Sequence, residues 1–202
     1  MIKNLLVLIY QPTEGWWRIK KQGKIWHALL LAAAAILMRF SSIYLTSYSL
    51  NTINPDKTNL LIELMLILVP VISWAISCYL VTSVMDGQAD LDQCLIASFY
   101  VLIPYIITTP PLILLSQLLS VSTAGFYDLM NTLVALWTVI LLIKQLSAMH
   151  NYTLGQSIQR ALIIVAGIAV LWFVCFTLYV LTMNIVDFVE TIWFESLLLS
   201  SH

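Results

Sequence analysis

The chain has 202 residues, 61% of them hydrophobic and only 9% charged, with a formal net charge of −1 and a mean hydropathy of +0.94. Soluble domains average roughly 25% charged residues, and a soluble chain of this length has nowhere to hide so much apolar surface. That excludes a water-soluble fold, and a near-neutral chain without a basic domain is not expected to bind nucleic acid.

The apolar residues fall into runs of about 18 to 26, each long enough to cross a hydrocarbon core of roughly 30 Å. There are five such runs, so the expected fold is all-α, a polytopic membrane bundle of five transmembrane helices. The opening "MIKNLLVLIYQP" is too short for a signal-peptide core and no small-residue cleavage site follows, so it is expected to be retained. Residues 1–24 read as an interfacial segment rather than a span. Trp16, Trp17 and Trp26 alternate with Arg18, Lys20, Lys21 and Lys24, and tryptophan and lysine anchor helices at the headgroup level. Recognition of anionic lipid is a second reading of the same composition.

The membrane domain is expected over residues 25–183. Its first span runs from about 26 to 48 and carries a small-residue run, Ala32 to Ala35, that lets another helix come close. Asn54-Pro55-Asp56 is a turn by composition. The second span, about 60–85, contains Pro70, and the third, about 91–109, contains Pro104 before meeting Pro110-Pro111. Proline removes a helix donor and restricts the residue before it. These four prolines are therefore candidate helix breaks, with "PLILLSQLLSVS" as a short interfacial helix after the third span. Thr108 and Thr109 are placed to offer hydroxyls to the freed carbonyls. The fourth and fifth spans cover about 126–149 and 157–183. Residues 184–202 form a separate amphipathic helix, with Ile185, Val189, Ile192 and Leu199 on one face and Asp187, Glu190 and Glu195 acidic. Packing on another protein, or on the fifth span, suits this tail.

Seven of the nine basic residues (Lys3, Arg18, Lys20, Lys21, Lys24, Lys144, Arg160) fall at the N-terminus or on the same side in alternate loops. Positive residues stay on the cytoplasmic side, so the expectation is a cell-membrane protein with its N-terminus cytoplasmic and its C-terminus extracytoplasmic. Five spans with no internal repeat do not divide into two inverted halves, which counts against a repeat-built transporter.

Arg39 and Glu63 sit at similar depth in consecutive spans and form a candidate intramembrane ion pair. A structural pair and a functional one are both compatible with that placement. The stretch "MDGQADLDQC" holds Asp86, Asp90 and Asp92 between two spans. It lacks the glycine and glutamate spacing of an EF-hand, and reads as a capped turn. Gly87 suits a left-handed helix end, Asp90 an N-cap, and Gln93 the capping-box position. The aspartates are candidate docking residues for the basic N-terminal segment or for a basic patch on a partner. Cys78, Cys94 and Cys175 read as small hydrophobes. His150, without a second histidine or carboxylate at ligand spacing, reads as a loop residue. No metal site and no cofactor are expected, and with no hydrolase, metalloprotease or P-loop signature there is no catalytic residue to name.

The order of features resembles the Yip family of integral membrane proteins (Ypt/Rab-interacting proteins), and within it the bacterial branch. The likeness covers roughly residues 10–185. It is carried by "QPTEGWWRIKKQGKIW", with Pro12, Trp16 and Ile19 as anchors; by "ISWAISCYLVTSVMDGQADLDQCLIASFYVLIPY", with Ala97, Tyr100, Leu102 and Pro104; and by "LSAMHNYTLGQSIQRALI". The Asp-Leu-Tyr-Gly-Pro motif and long cytosolic N-terminal region of eukaryotic members are missing, which counts against binding a Rab-type GTPase. The resemblance implies a non-enzymatic membrane scaffold or accessory subunit that docks other membrane proteins. The alternative is a small transporter or channel component built on the proline-broken third span.

Overall fold

The computed structural model describes residue 8 and residues 12–200, apart from 52 and 86. Among them the helices are α1 (Pro12–Gln22), α2 (Ile25–Leu45), α3 (Leu60–Val84), α4 (Leu91–Tyr100), α5 (Ile103–Leu118), α6 (Ala124–His150) and α7 (Leu154–Ser200), with single 3₁₀ turns at Pro55–Lys57 and Val121–Thr123. The connections are made by residues that close turns. Asn54 Oδ1 accepts from the amide of Asp56 at 3.1 Å, and Asn59 Oδ1 caps α3 by accepting from Leu61 at 3.0 Å. Asn151 ends α6 in the left-handed conformation, φ 57°, one that asparagine tolerates.

Among the described residues, five stretches are long and apolar enough to cross a membrane: Ile25–Leu45, Leu60–Val84, Leu91–Leu118, Val121–His150 and Leu154–Trp193. They run up and down, so the starts of α2, α4 and α7 share one end of the bundle with the ends of α3 and α6. We call this the N-terminal end. The core is concentrated there, where α1 lies across α6 and α4. Trp16 and Ile19, one helical turn apart, are 0% and 2% exposed. On α2 the inward stripe is Ala28, Ala32 and Ala35, all buried, and small side chains at that spacing let α4 pack closely.

Several details differ from the sequence expectation. The third span does not stop at the Pro110-Pro111 pair; α5 runs through both to Leu118, and α3 runs through Pro70. Proline's fixed φ of about −65° is itself helical, and within a bundle the lost donors do not force a stop. The break lies earlier, at Val101–Leu102, between α4 and α5. Pro104 stands in the first turn of α5, where a missing N–H is harmless, and its ring pushes on the turn before. Thr108 and Thr109 donate to the carbonyls of Pro104 and Tyr105, at 2.7 and 2.6 Å, rather than to those of residues 106 and 107, whose partners the two prolines remove.

The tail is not a separate helix either. α7 is continuous from Leu154 to Ser200, because nothing after Gly167 is a glycine or proline that would stop it. Trp16 is not an interfacial anchor but a core residue, since the face of α1 that carries it and Ile19 turns inward. Gly87 has no positive φ. A Cβ there would meet the carbonyl oxygen of Thr82 at 2.6 Å and Nδ1 of His150 at 2.9 Å, so glycine serves close approach.

Candidate functional site

Among the described residues, two polar clusters stand out within the apolar interior. The first lies at the N-terminal end, where the turn after α3, the start of α4 and the end of α6 meet. Gly87 donates its amide to the carbonyl of Thr82 at 2.7 Å, folding the α3–α4 turn back on α3. Asp90 then N-caps α4 in a capping box, with Gln93 accepting from the Asp90 amide at 3.3 Å. This places Cys94 in the first turn of α4, beside Cys78 near the end of α3. From the third side comes His150, the last residue of α6. Ligand atoms of Cys78, Cys94 and His150 all lie within 4.8 Å of one another, and the three residues are at most 2% exposed.

The ring of His150 is fixed from several directions. Its Nδ1 accepts from the amide of Gln88 at 3.2 Å, and its Nε2 lies 3.9 Å from Cys78 Sγ. With Nδ1 engaged as acceptor, the neutral ring carries its proton on Nε2, directed at sulfur. Tyr152 stacks on the ring at 5.2 Å and donates its hydroxyl to the carbonyl of Met85 at 3.0 Å. The Arg160 guanidinium sits 3.5 Å over the Tyr152 ring. Asn151 donates to the Gln88 side chain at 2.7 Å, and Lys20 of α1 donates to the carbonyl of Met149 at 2.6 Å. Two sulfurs and an imidazole nitrogen converging in a buried setting form the donor set that soft metal ions prefer.

The second cluster lies toward the opposite end. Arg39 Nε donates to Glu63 Oε2 at 2.8 Å, tying α2 to α3, and the Glu63 side chain is 10% exposed. Arg39 also borders a largely apolar cavity of about 770 Å³, with Pro70, Trp74, Ser98, Tyr105 and Trp172 in its walls. A smaller recess of about 200 Å³ shares Arg39 and Tyr105 and is lined with Thr108, Thr109 and Asn131.

Of the other residues singled out from sequence, Asp86 lies outside the described residues. Asp90 and Asp92 are exposed, and among the described residues no ion pair joins them to Arg18, Lys20, Lys21 or Lys24. Trp17 and Trp26 point outward, 49% and 72% exposed, with Lys21 4.0 Å over the Trp17 ring. Arg18 pairs with Glu14 at 3.8 Å. Pro110 and Pro111 lie on the exposed side of α5. Sequence reasoning missed the convergence of Cys78, Cys94 and His150. The available signal was topological: Cys78 and Cys94 flank one turn and His150 begins the next turn on the same side of the bundle.

Fold and sites together define a multi-pass helical membrane protein without a soluble domain among the described residues. Residues 6–191 match the family model of the Yip1 domain, and the chain belongs to the Yip family. No curated protein and no solved structure matches it.

Proposed function

We propose that this protein is a non-enzymatic membrane scaffold or accessory subunit that docks other membrane proteins, with its N-terminus cytoplasmic and its C-terminus outside. The observation that carries this reading is the length and bareness of α7. At 1.5 Å per residue its 47 residues extend about 70 Å, more than twice the roughly 30 Å of hydrocarbon. Every described residue from Trp172 to Trp193 is exposed. Lipid covers the stretch inside the membrane. Beyond it, Ile185, Val189 and Ile192 remain uncovered beside Asp187 and Glu190, and an apolar stripe on a helix in water calls for a partner surface. The exposed Asp90 and Asp92 at the cytoplasmic end offer a second, acidic contact. Within the family, the missing Asp-Leu-Tyr-Gly-Pro motif favours the bacterial branch.

The test is a photo-crosslinking residue at Ile185 or Val189 in the native membrane, followed by purification in mild detergent. A discrete adduct with another membrane protein is expected. A stable monomer with no adduct from either position removes the docking reading. A reporter fused after His202 is expected to be active only outside the cytoplasm, and cytoplasmic activity would reverse the orientation.

A further inference from the structure

We propose that Cys78, Cys94 and His150 form a binding site for one monovalent soft metal ion, of which Cu⁺ is the physiological example. The donor set is the first argument. Two thiols and one imidazole come from three different helices, and all three residues are buried. Thiolate and imidazole together select soft or borderline ions rather than Mg²⁺ or Ca²⁺.

The spacing is the second argument. With metal–sulfur and metal–nitrogen bonds of roughly 2.3 and 2.05 Å, two ligands of a trigonal ion lie about 3.8 Å apart, and those of a tetrahedral ion about 3.6 Å. Cys78 Sγ and His150 Nε2 are 3.9 Å apart. Coordination number separates the two thiophilic candidates. Zn²⁺ in structural sites takes four ligands, and in catalytic sites a water fills the fourth position. The structure brings together three donors, two sulfurs and one imidazole nitrogen, within 4.8 Å of one another. A three-coordinate monovalent ion suits what is present.

The surroundings fit an anionic centre. Two thiolates and Cu⁺ carry a net charge of −1. Cys94 stands at the N-terminal end of α4, where the helix dipole favours anionic sulfur. The ammonium of Lys20 is held on the carbonyl of Met149, next to His150.

Loading has a structural consequence. The two thiol protons leave, and Nε2 gives up its proton to bind the ion, so the ring proton moves to Nδ1. Nδ1 then no longer accepts from the amide of Gln88, and the turn at 87–88 gives way. Gly87 lets that peptide rotate more freely than any other residue would. The ion therefore acts on the same turn that presents Asp90 and Asp92.

The experiment uses the full chain in detergent, anaerobic, with a phosphine reductant, in a Cys175→Ser background because Cys175 is exposed. Cu⁺ is supplied in competition with a chromogenic Cu⁺ chelator, and Zn²⁺ in a parallel titration. One Cu⁺ per chain is expected, with Zn²⁺ bound at least about 100-fold more weakly. Losing a ligand should be at least as severe as losing an outer partner, so Cys78→Ala and Cys94→Ala are each expected to weaken Cu⁺ binding about 100-fold or more. Copper X-ray absorption on the unmutated site avoids any folding defect in the variants and should give two sulfurs and one nitrogen. Hydrogen exchange at the Gln88 amide is expected to rise on loading. Uptake unchanged in the Cys78→Ala/Cys94→Ala protein, a Cys78–Cys94 disulfide in place of copper uptake, preference for Zn²⁺, or unaltered exchange at Gln88 with copper bound would each overturn the proposal.

Discussion

The two halves of α7 live in different surroundings. Its first turns are locked to α3: Ser77 donates to the carbonyl of Ile164 at 2.8 Å, and a Cβ on Gly167 would stand 2.5 Å from Ser77 Oγ. From Trp172 to Trp193 every residue of the same helix is exposed. One continuous helix thus meets two surroundings. The near half belongs to this chain's own fold, while the backbone groups of the far half are satisfied within the helix itself. The docking proposal therefore separates stability from interaction along the chain, so variants at the two ends should have separate phenotypes.

The comparison is sharpest where packing is densest. Trp16→Ala, at the buried junction of α1 with α6, is expected to lower unfolding stability in detergent by about 3–5 kcal/mol, measured by chemical denaturation. Arg39→Met should come close behind, at about 3–5 kcal/mol, because it leaves the Glu63 carboxylate inside the bundle without its partner. The double variant Arg39→Met/Glu63→Leu is expected to recover most of that loss. If it recovers none, the pair has a role beyond compensating its own charges. Gly87→Ala should cost about 1–3 kcal/mol by overpacking, read from the same unfolding curves, since a Cβ there meets both Thr82 and His150. At the other extreme, Ile185→Ala/Val189→Ala/Ile192→Ala should change the stability of the isolated chain by only about 0.5 kcal/mol per site, yet abolish recovery of the partner membrane protein on purification in mild detergent. A large drop in melting temperature for this triple variant would break the division between the two halves.

How much of this was legible beforehand depends on the range of the interaction. Five spans follow from apolar run length alone. Arg39 and Glu63 were also within reach, since counting rises along two consecutive spans puts them at one depth, and they stand 2.8 Å apart. The prolines misled in part. A local rule reads Pro110-Pro111 as a stop, but the position of the break was decided by packing around Pro104. Trp16 was misread because composition does not reveal which face of a short basic helix turns inward.

The sequence by itself determined that this is a five-span helical membrane protein of the Yip family. Hydrocarbon offers no hydrogen bonds, so an apolar run of sufficient length has essentially one way to cross it. Only the tertiary structure decided that Cys78, Cys94 and His150, up to 72 residues apart, meet in one buried cluster. It also decided that α7 leaves the bundle after its first turns. Both depend on how helices rotate and approach one another, and that is set by side chains such as Gly87, Ser77 and Gly167, whose significance lies in what stands opposite them.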